Sequence, residues 1–182
     1  MRTQTHNTAS RLRRFERGFS LIELLIVIAI ILIIAAIAIP NFMHSKMAAN
    51  EAAAAENVRT ITTASVVYST SWGNGYPPSL DSLGGTGTTA TCDLANLIDP
   101  ILSTAPYTKS GYIFSYTGEG GVAPLGGGCG SPGFQGYLVT AVPQNSFTGT
   151  RSFCSSEPGV IHYDTTGVAA ASGTACAALP SL

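Results

Sequence analysis

Charge is scarce in this sequence. Of its 182 residues, nine are Lys or Arg and ten are Asp or Glu, while hydrophobic residues make up 45%. Five of the nine basic residues lie in the first 17 positions, so residues 19–182 hold four basic side chains against nine acidic ones. A nucleic-acid-binding surface generally needs a basic patch. Nucleic-acid binding is therefore not indicated.

The motifs of common catalytic and cofactor sites are also missing. His162 precedes Tyr163 and Asp164, but no nucleophile elbow frames them, so a sheet or surface histidine is the better interpretation. The glycine-rich run at 126–130 precedes no evident helix, as a phosphate loop would. No Cys-x-x-Cys pair occurs. A calcium-binding loop needs oxygen ligands at fixed short spacings, which the aspartates do not have: Asp81, Asp93, Asp99 and Asp164. We expect no enzyme activity, no metal ion and no cofactor.

One long apolar run dominates what is present. Residues 19–39 contain only two polar side chains, Ser20 and Glu23. As a helix these residues reach about 31 Å, close to the ~30 Å hydrocarbon core of a bilayer. A helix satisfies its own backbone hydrogen bonds in lipid. The run therefore predicts a helix that spans a membrane once.

The segment before the run is short and basic. Its arginines are Arg2, Arg11, Arg13, Arg14 and Arg17. Positive charge beside a span stays in the cytoplasm, so we expect the N-terminus inside and the C-terminal bulk outside. A secretory signal peptide would have a shorter apolar region followed by a small-x-small cleavage site. Here Pro40-Asn41-Phe42 follows instead.

The junction between the basic segment and the apolar run carries a specific motif. It reads Arg17-Gly18-Phe19-Ser20-Leu21-Ile22-Glu23. With the apolar run after it, this motif resembles the prepilin signature of type IV pilins and type II secretion pseudopilins. The resemblance implies that prepilin peptidase cuts between Gly18 and Phe19 and then methylates the new amine of Phe19. It also implies that Glu23 acts in assembly and that Pro40 kinks the helix.

Glu23 is an acidic residue within the predicted membrane-spanning helix. An acidic side chain inside a spanning helix costs roughly 3 kcal/mol on insertion scales and needs a partner. Cutting after Gly18 creates an amine on Phe19, four residues away. Our hypothesis is that Glu23 pairs with this amine on a neighbouring subunit, since buried charges are tolerated only in pairs. The alternative is a lone glutamate that reaches water at the headgroup level.

Beyond Pro40 the pattern becomes amphipathic. Spacings of four and three residues separate Ala54, Val58, Ile61, Ser65, Tyr68 and Trp72, which form one helical stripe. We predict a single helix from about Ser20 to Trp72, kinked at Pro40 and stopped at 73–75. The stripe is expected to pack on a sheet. Solvent or a neighbour should meet the residues off the stripe, which are Glu51, Glu56, Arg59, Thr60 and Thr63.

The C-terminal part, 73–182, holds nearly all the glycine and proline. We predict a connecting loop at 73–110 with a helical turn near 76–83 and a short helix at 93–98. Strands are expected at 112–116, 137–142, 151–155 and 160–163, with a hairpin turn at 157–159. The fold class is α+β: a long N-terminal helix packed on a C-terminal antiparallel sheet, which the resemblance describes as a pilin-like ladle.

The four cysteines all lie in this C-terminal part. An even count on the oxidising side of a membrane predicts two disulfides, with three connectivities possible. Pairing nearest neighbours is favoured because it ties down the two least regular regions. The favoured pairs are Cys92–Cys129 and Cys154–Cys176.

The predicted organisation is a cleaved leader at 1–18, a transmembrane and polymerisation segment at 19–39, an amphipathic segment at 40–72 and a globular head at 73–182, whose sheet and C-terminal region cover 111–182. The expected protein is a structural subunit of a helical homopolymer. It would be held in the bacterial inner membrane, processed by prepilin peptidase, assembled by the inner-membrane pilus machinery and displayed as a surface pilus.

Adhesion, twitching motility and DNA uptake are the roles that the resemblance implies. Two alternatives stay open: a type II secretion pseudopilin, which would form a periplasmic pseudopilus, and a membrane-anchored periplasmic binding module. Secretion pseudopilins usually carry an acidic calcium loop and lack these cysteines, which favours the pilus subunit.

Overall fold

The computed structural model describes residues 18–87, 89–125 and 128–182. The chain divides into two units, one that ends at Pro40 and one that comprises Asn41–Leu182. Except for Gly18, the predicted leader lies outside the described residues.

The main helix, α1, spans Leu21–Trp72. It begins one residue later than predicted and ends where expected. Gly73 follows at φ 58°, in the left-handed region that glycine adopts readily, and its N–H donates to the Ser69 carbonyl. A second helix, α2, spans Leu80–Leu83, within the predicted helical turn. A third, α3 (Gly173–Ala177), was not predicted.

Five strands form one antiparallel sheet in the order β1-β2-β3-β4-β5. They are β1 (Thr108–Lys109), β2 (Tyr112–Val122), β3 (Phe134–Pro143), β4 (Ser152–Ser156) and β5 (Ile161–Asp164). The four predicted strands and the β4–β5 turn are confirmed, and β2 and β3 are longer than expected. The missed strand, β1, is only two residues long and has no alternating pattern.

The core lies between α1 and one face of the sheet. The predicted stripe is confirmed: Ala54, Val58, Ile61 and Tyr68 join the main cluster, and Trp72 packs against its edge. The sheet contributes Tyr112, Phe114, Tyr137, Val139, Ala141, Phe153 and Ile161. Because alternate residues of a strand point to one face, β2 and β3 each supply every second residue to this core. The long helix is thus fixed along the sheet by aromatic and branched side chains.

The short helix predicted at 93–98 is wrong. Asn96 has a φ of 53°, which an α-helix does not accommodate. The amides of Ala95, Asn96 and Leu97 donate instead to the carbonyls of residues 82–84 at the end of α2. Tertiary backbone bonds therefore replace the local helix.

The C-terminal segment covers part of the other face of the sheet. Leu138 and Cys154 from that face form a second buried cluster with Cys176 of α3. The tail then runs along β5, where the Tyr163 amide donates to the Pro180 carbonyl and the Leu182 amide to the Ile161 carbonyl.

Glu51 was expected to face solvent or a neighbour, and this prediction is wrong. Its side chain is 9% exposed and ion-paired with Arg151, at 2.7 Å between Oε2 and Nε. The amides of Thr150 and Arg151 and the Thr150 hydroxyl donate to Oε1. Burial alone would raise the pKa of Glu51, but these hydrogen bonds outweigh it and lower the pKa. The other residues predicted to lie off the stripe are exposed.

Replacing Glu51 by glutamine should destabilise the fold. Hydrogen bonds to a charged group contribute about 2 kcal/mol, and the Glu51→Gln variant loses that charge. Because folding lowers this pKa, the contribution is full above the unfolded value of about 4.3 and disappears as the pH falls through the folded value. Urea unfolding in detergent, followed through the single tryptophan, Trp72, measures this. The control is Glu56→Gln, whose exposed pair with Arg59 should matter little. Equal losses would contradict the assignment.

A matched pair of valines tests the core. Val58 is fully buried, whereas Val66, on the same helix, is 44% exposed. Val58→Ala should cost about 2 kcal/mol of unfolding free energy through lost burial and a cavity. Val66→Ala should cost well under half of that. Comparable losses in urea unfolding would show that the stripe does not face the core.

Candidate functional site

The predicted processing junction lies just outside α1. Gly18, Phe19 and Ser20 are not helical and are exposed, and Phe19 is 79% exposed. The Gly18–Phe19 bond therefore lies outside the helix, between two exposed residues.

Glu23 lies in the first turn of α1 and bonds to its own chain. Its Oε2 accepts a hydrogen bond from the Ser20 amide at 3.0 Å. The Ser20 carbonyl in turn accepts from the Leu24 amide at 3.3 Å. Ser20 is thus the N-cap of the helix, and Glu23 supplies the glutamate half of a capping box. Sequence reasoning missed this contact, although the Ser-x-x-Glu pattern is its usual signal.

The apolar stretch around and after Glu23, residues 21–39, is not buried within the described residues. Leu21, Ile22 and most of the large side chains to Ile39 are about half exposed or more. By length and composition α1 could cross a membrane, and none of its most apolar 18 residues is buried. A surface of this size and polarity needs lipid or other protein around it.

Pro40 lies inside α1, at the end of this stretch. Its ring leaves one carbonyl of the preceding turn without its usual helical donor. The kink at Pro40 stays a prediction.

The cysteines form two disulfides, Cys92–Cys129 and Cys154–Cys176. These are the two pairs that the sequence analysis favoured. The first ties the loop after α2 to the β2–β3 connection, and the second ties α3 to β4.

His162 lies on β5 and has a structural role. Its Nδ1 is 2.7 Å from the Leu179 carbonyl oxygen, so it helps to hold the C-terminal tail. Among residues 18–87, 89–125 and 128–182, no three His, Cys, Asp or Glu side chains come together as a metal site.

Comparison with known proteins gives a local match at the N-terminus. The family model described as the prokaryotic N-terminal methylation motif matches residues 13–39. The type IV major pilin protein PilA of Myxococcus xanthus (strain DK1622) is 49% identical over 55 residues. This match covers 30% of the chain and 25% of the relative, so the chain spans about a quarter of that protein's length. No solved structure gives a significant match.

The motif and the architecture agree with each other. The matched residues run from the basic segment through the junction at Gly18 to the end of the apolar stretch at Ile39. The same helix continues into the core of an α+β head with a five-stranded antiparallel sheet. The chain thus carries the prokaryotic N-terminal methylation motif and is similar, over its N-terminal part, to a type IV major pilin.

Proposed function

We propose that the protein is a structural subunit of a type IV pilus, made as a precursor and stored in the inner membrane. The observation that carries this proposal is a single carboxylate, Glu23, at the start of an uncovered apolar helix and next to a Gly18–Phe19 bond that lies outside the helix. A structural role rather than a catalytic one agrees with the similarity to a major pilin.

Processing supplies the second charge of the site. Prepilin peptidase would cut between Gly18 and Phe19 on the cytoplasmic side, where the preceding arginines keep the N-terminus. The same enzyme would then methylate the amine of Phe19, which remains a cation. Removing the leader also takes five positive charges away from the end of the helix. The end of the helix can then leave the membrane surface and enter a protein core.

Assembly exchanges one apolar environment for another. Residues 21–39 lie in lipid before assembly and against the same segments of neighbouring subunits afterwards. The apolar surface itself therefore gives little preference for the filament. Pairing Glu23 with the Phe19 amine of a neighbour adds that preference and sets the axial register, because an unpaired buried charge is strongly destabilising.

The head would then face outward. Its disulfides suit the oxidising side of the membrane, in agreement with the orientation that the arginines predict. The exposed loops and the outer surface of the sheet would meet other cells, surfaces or DNA. Adhesion, twitching motility and DNA uptake are the roles proposed for a filament built this way.

Intact-mass analysis of sheared surface filaments tests processing and location together. We expect a chain that begins at Phe19, carries one added methyl group and gains four hydrogens on reduction, two for each disulfide. Finding the Phe19 form only in membranes would favour a secretion pseudopilin or an anchored module. A chain that still begins at Met1 would contradict the processing proposal.

The charge of Glu23 is tested by Glu23→Gln. We expect normal cutting and membrane levels but at least a tenfold lower yield of sheared filaments. A buried unpaired amine costs more than the 1.4 kcal/mol that corresponds to that factor. The control is Asp93→Asn, the same chemical change at an exposed site of the head. Wild-type filament yield from the Glu23→Gln variant would refute the charge pair.

A further inference from the structure

The carboxylate assigned to assembly is already engaged within the single chain. Its Oε2 bonds to the Ser20 amide, three residues earlier. The described residues supply no donor for its other oxygen, Oε1. The bond to Ser20 draws the side chain back along the helix toward the N-terminus, the end at which processing creates the amine of Phe19.

We propose that Glu23 has a second role, as the N-terminal cap of α1 in the unassembled subunit, and that Ser20 is a positioning residue for the assembly carboxylate. This proposal rests on the proposed function. The cap holds Glu23 in one conformation, with Oε2 committed to its own chain and Oε1 left for the amine of a neighbour.

The cap has two physical effects. The first amides of a helix have no partner within the helix, and such a group is costly in lipid, so Glu23 satisfies one of them. A side chain that is already ordered also loses less conformational entropy when its partner arrives. In the bilayer, the unassembled subunit therefore already holds the Glu23 carboxylate in the orientation that assembly needs.

Capping and charge are separable at this position. A glutamine side chain accepts the same bond from the Ser20 amide, as capping boxes with Gln do. An aspartate keeps the charge but is one methylene shorter, so it reaches this amide poorly. Leucine supplies neither function. Three variants, Glu23→Gln, Glu23→Asp and Glu23→Leu, therefore separate the cap from the charge.

Two measurements on these variants report the helix cap and the assembly charge separately. Amide hydrogen exchange at Ser20, measured by NMR on the full-length chain in detergent micelles, reports the cap. Wild type and Glu23→Gln should exchange at similar rates, and Glu23→Asp and Glu23→Leu about fivefold faster, the factor that a cap of about 1 kcal/mol gives. The yield of sheared filaments per cut chain reports assembly. It should fall at least fivefold for Glu23→Asp and be lost for the other two variants.

Different outcomes would refute this inference and the proposed function. Equal Ser20 exchange in wild type and Glu23→Leu would show that there is no cap. Wild-type filament yield from Glu23→Asp, with fast Ser20 exchange, would show that the cap does not position the carboxylate. Either result overturns the inference and leaves the charge pair standing. Assembly of Glu23→Gln would instead refute the charge pair and leave the cap intact.

Discussion

The whole molecule depends on one constraint: residues 21–39 carry an apolar surface that the rest of the described chain does not cover. Water cannot remain in contact with so large a surface at acceptable cost. In the proposed pilus subunit, this surface would be covered by lipid before assembly and by other protein afterwards. Since the surface is apolar in both environments, the proposal makes the one charged group, Glu23, the feature that distinguishes them.

The second half of α1, in contrast, is partly buried within its own chain. From Glu51 onward one stripe of α1 is buried by the sheet of its own chain, and the Glu51–Arg151 pair fixes the helix to the start of β4. Both halves begin with a glutamate that accepts backbone N–H groups: Glu23 from Ser20, and Glu51 from Thr150 and Arg151. The first bond is local, between residues three positions apart, whereas the second set joins residues 99 or 100 positions apart and is part of the tertiary fold.

The periodicity of apolar residues and the positions of glycine and proline predicted most of the fold. The spacing of four and three predicted the buried stripe of α1, and the four predicted strands exist, although β2 and β3 continue through glycines that were expected to bound them. The errors arose where distant backbone or side-chain contacts decide the structure, as at Asn96, which bonds to the end of α2, and at Glu51, whose partners lie in the β3–β4 connection. The candidate site was predicted from its motif and stays a prediction, and the Ser20–Glu23 bond was overlooked because the glutamate was considered only as a charge.

The C-terminal tail has a further consequence for the edge of the sheet. The outer edge of β5 would otherwise present free backbone donors and acceptors, which invite a strand from another molecule. Residues 180–182 occupy part of that edge through bonds to Tyr163 and Ile161. The Cys154–Cys176 disulfide holds the tail close to its place even when those bonds open. The tail and the disulfide therefore leave less of the β5 edge free to pair with a strand of another molecule.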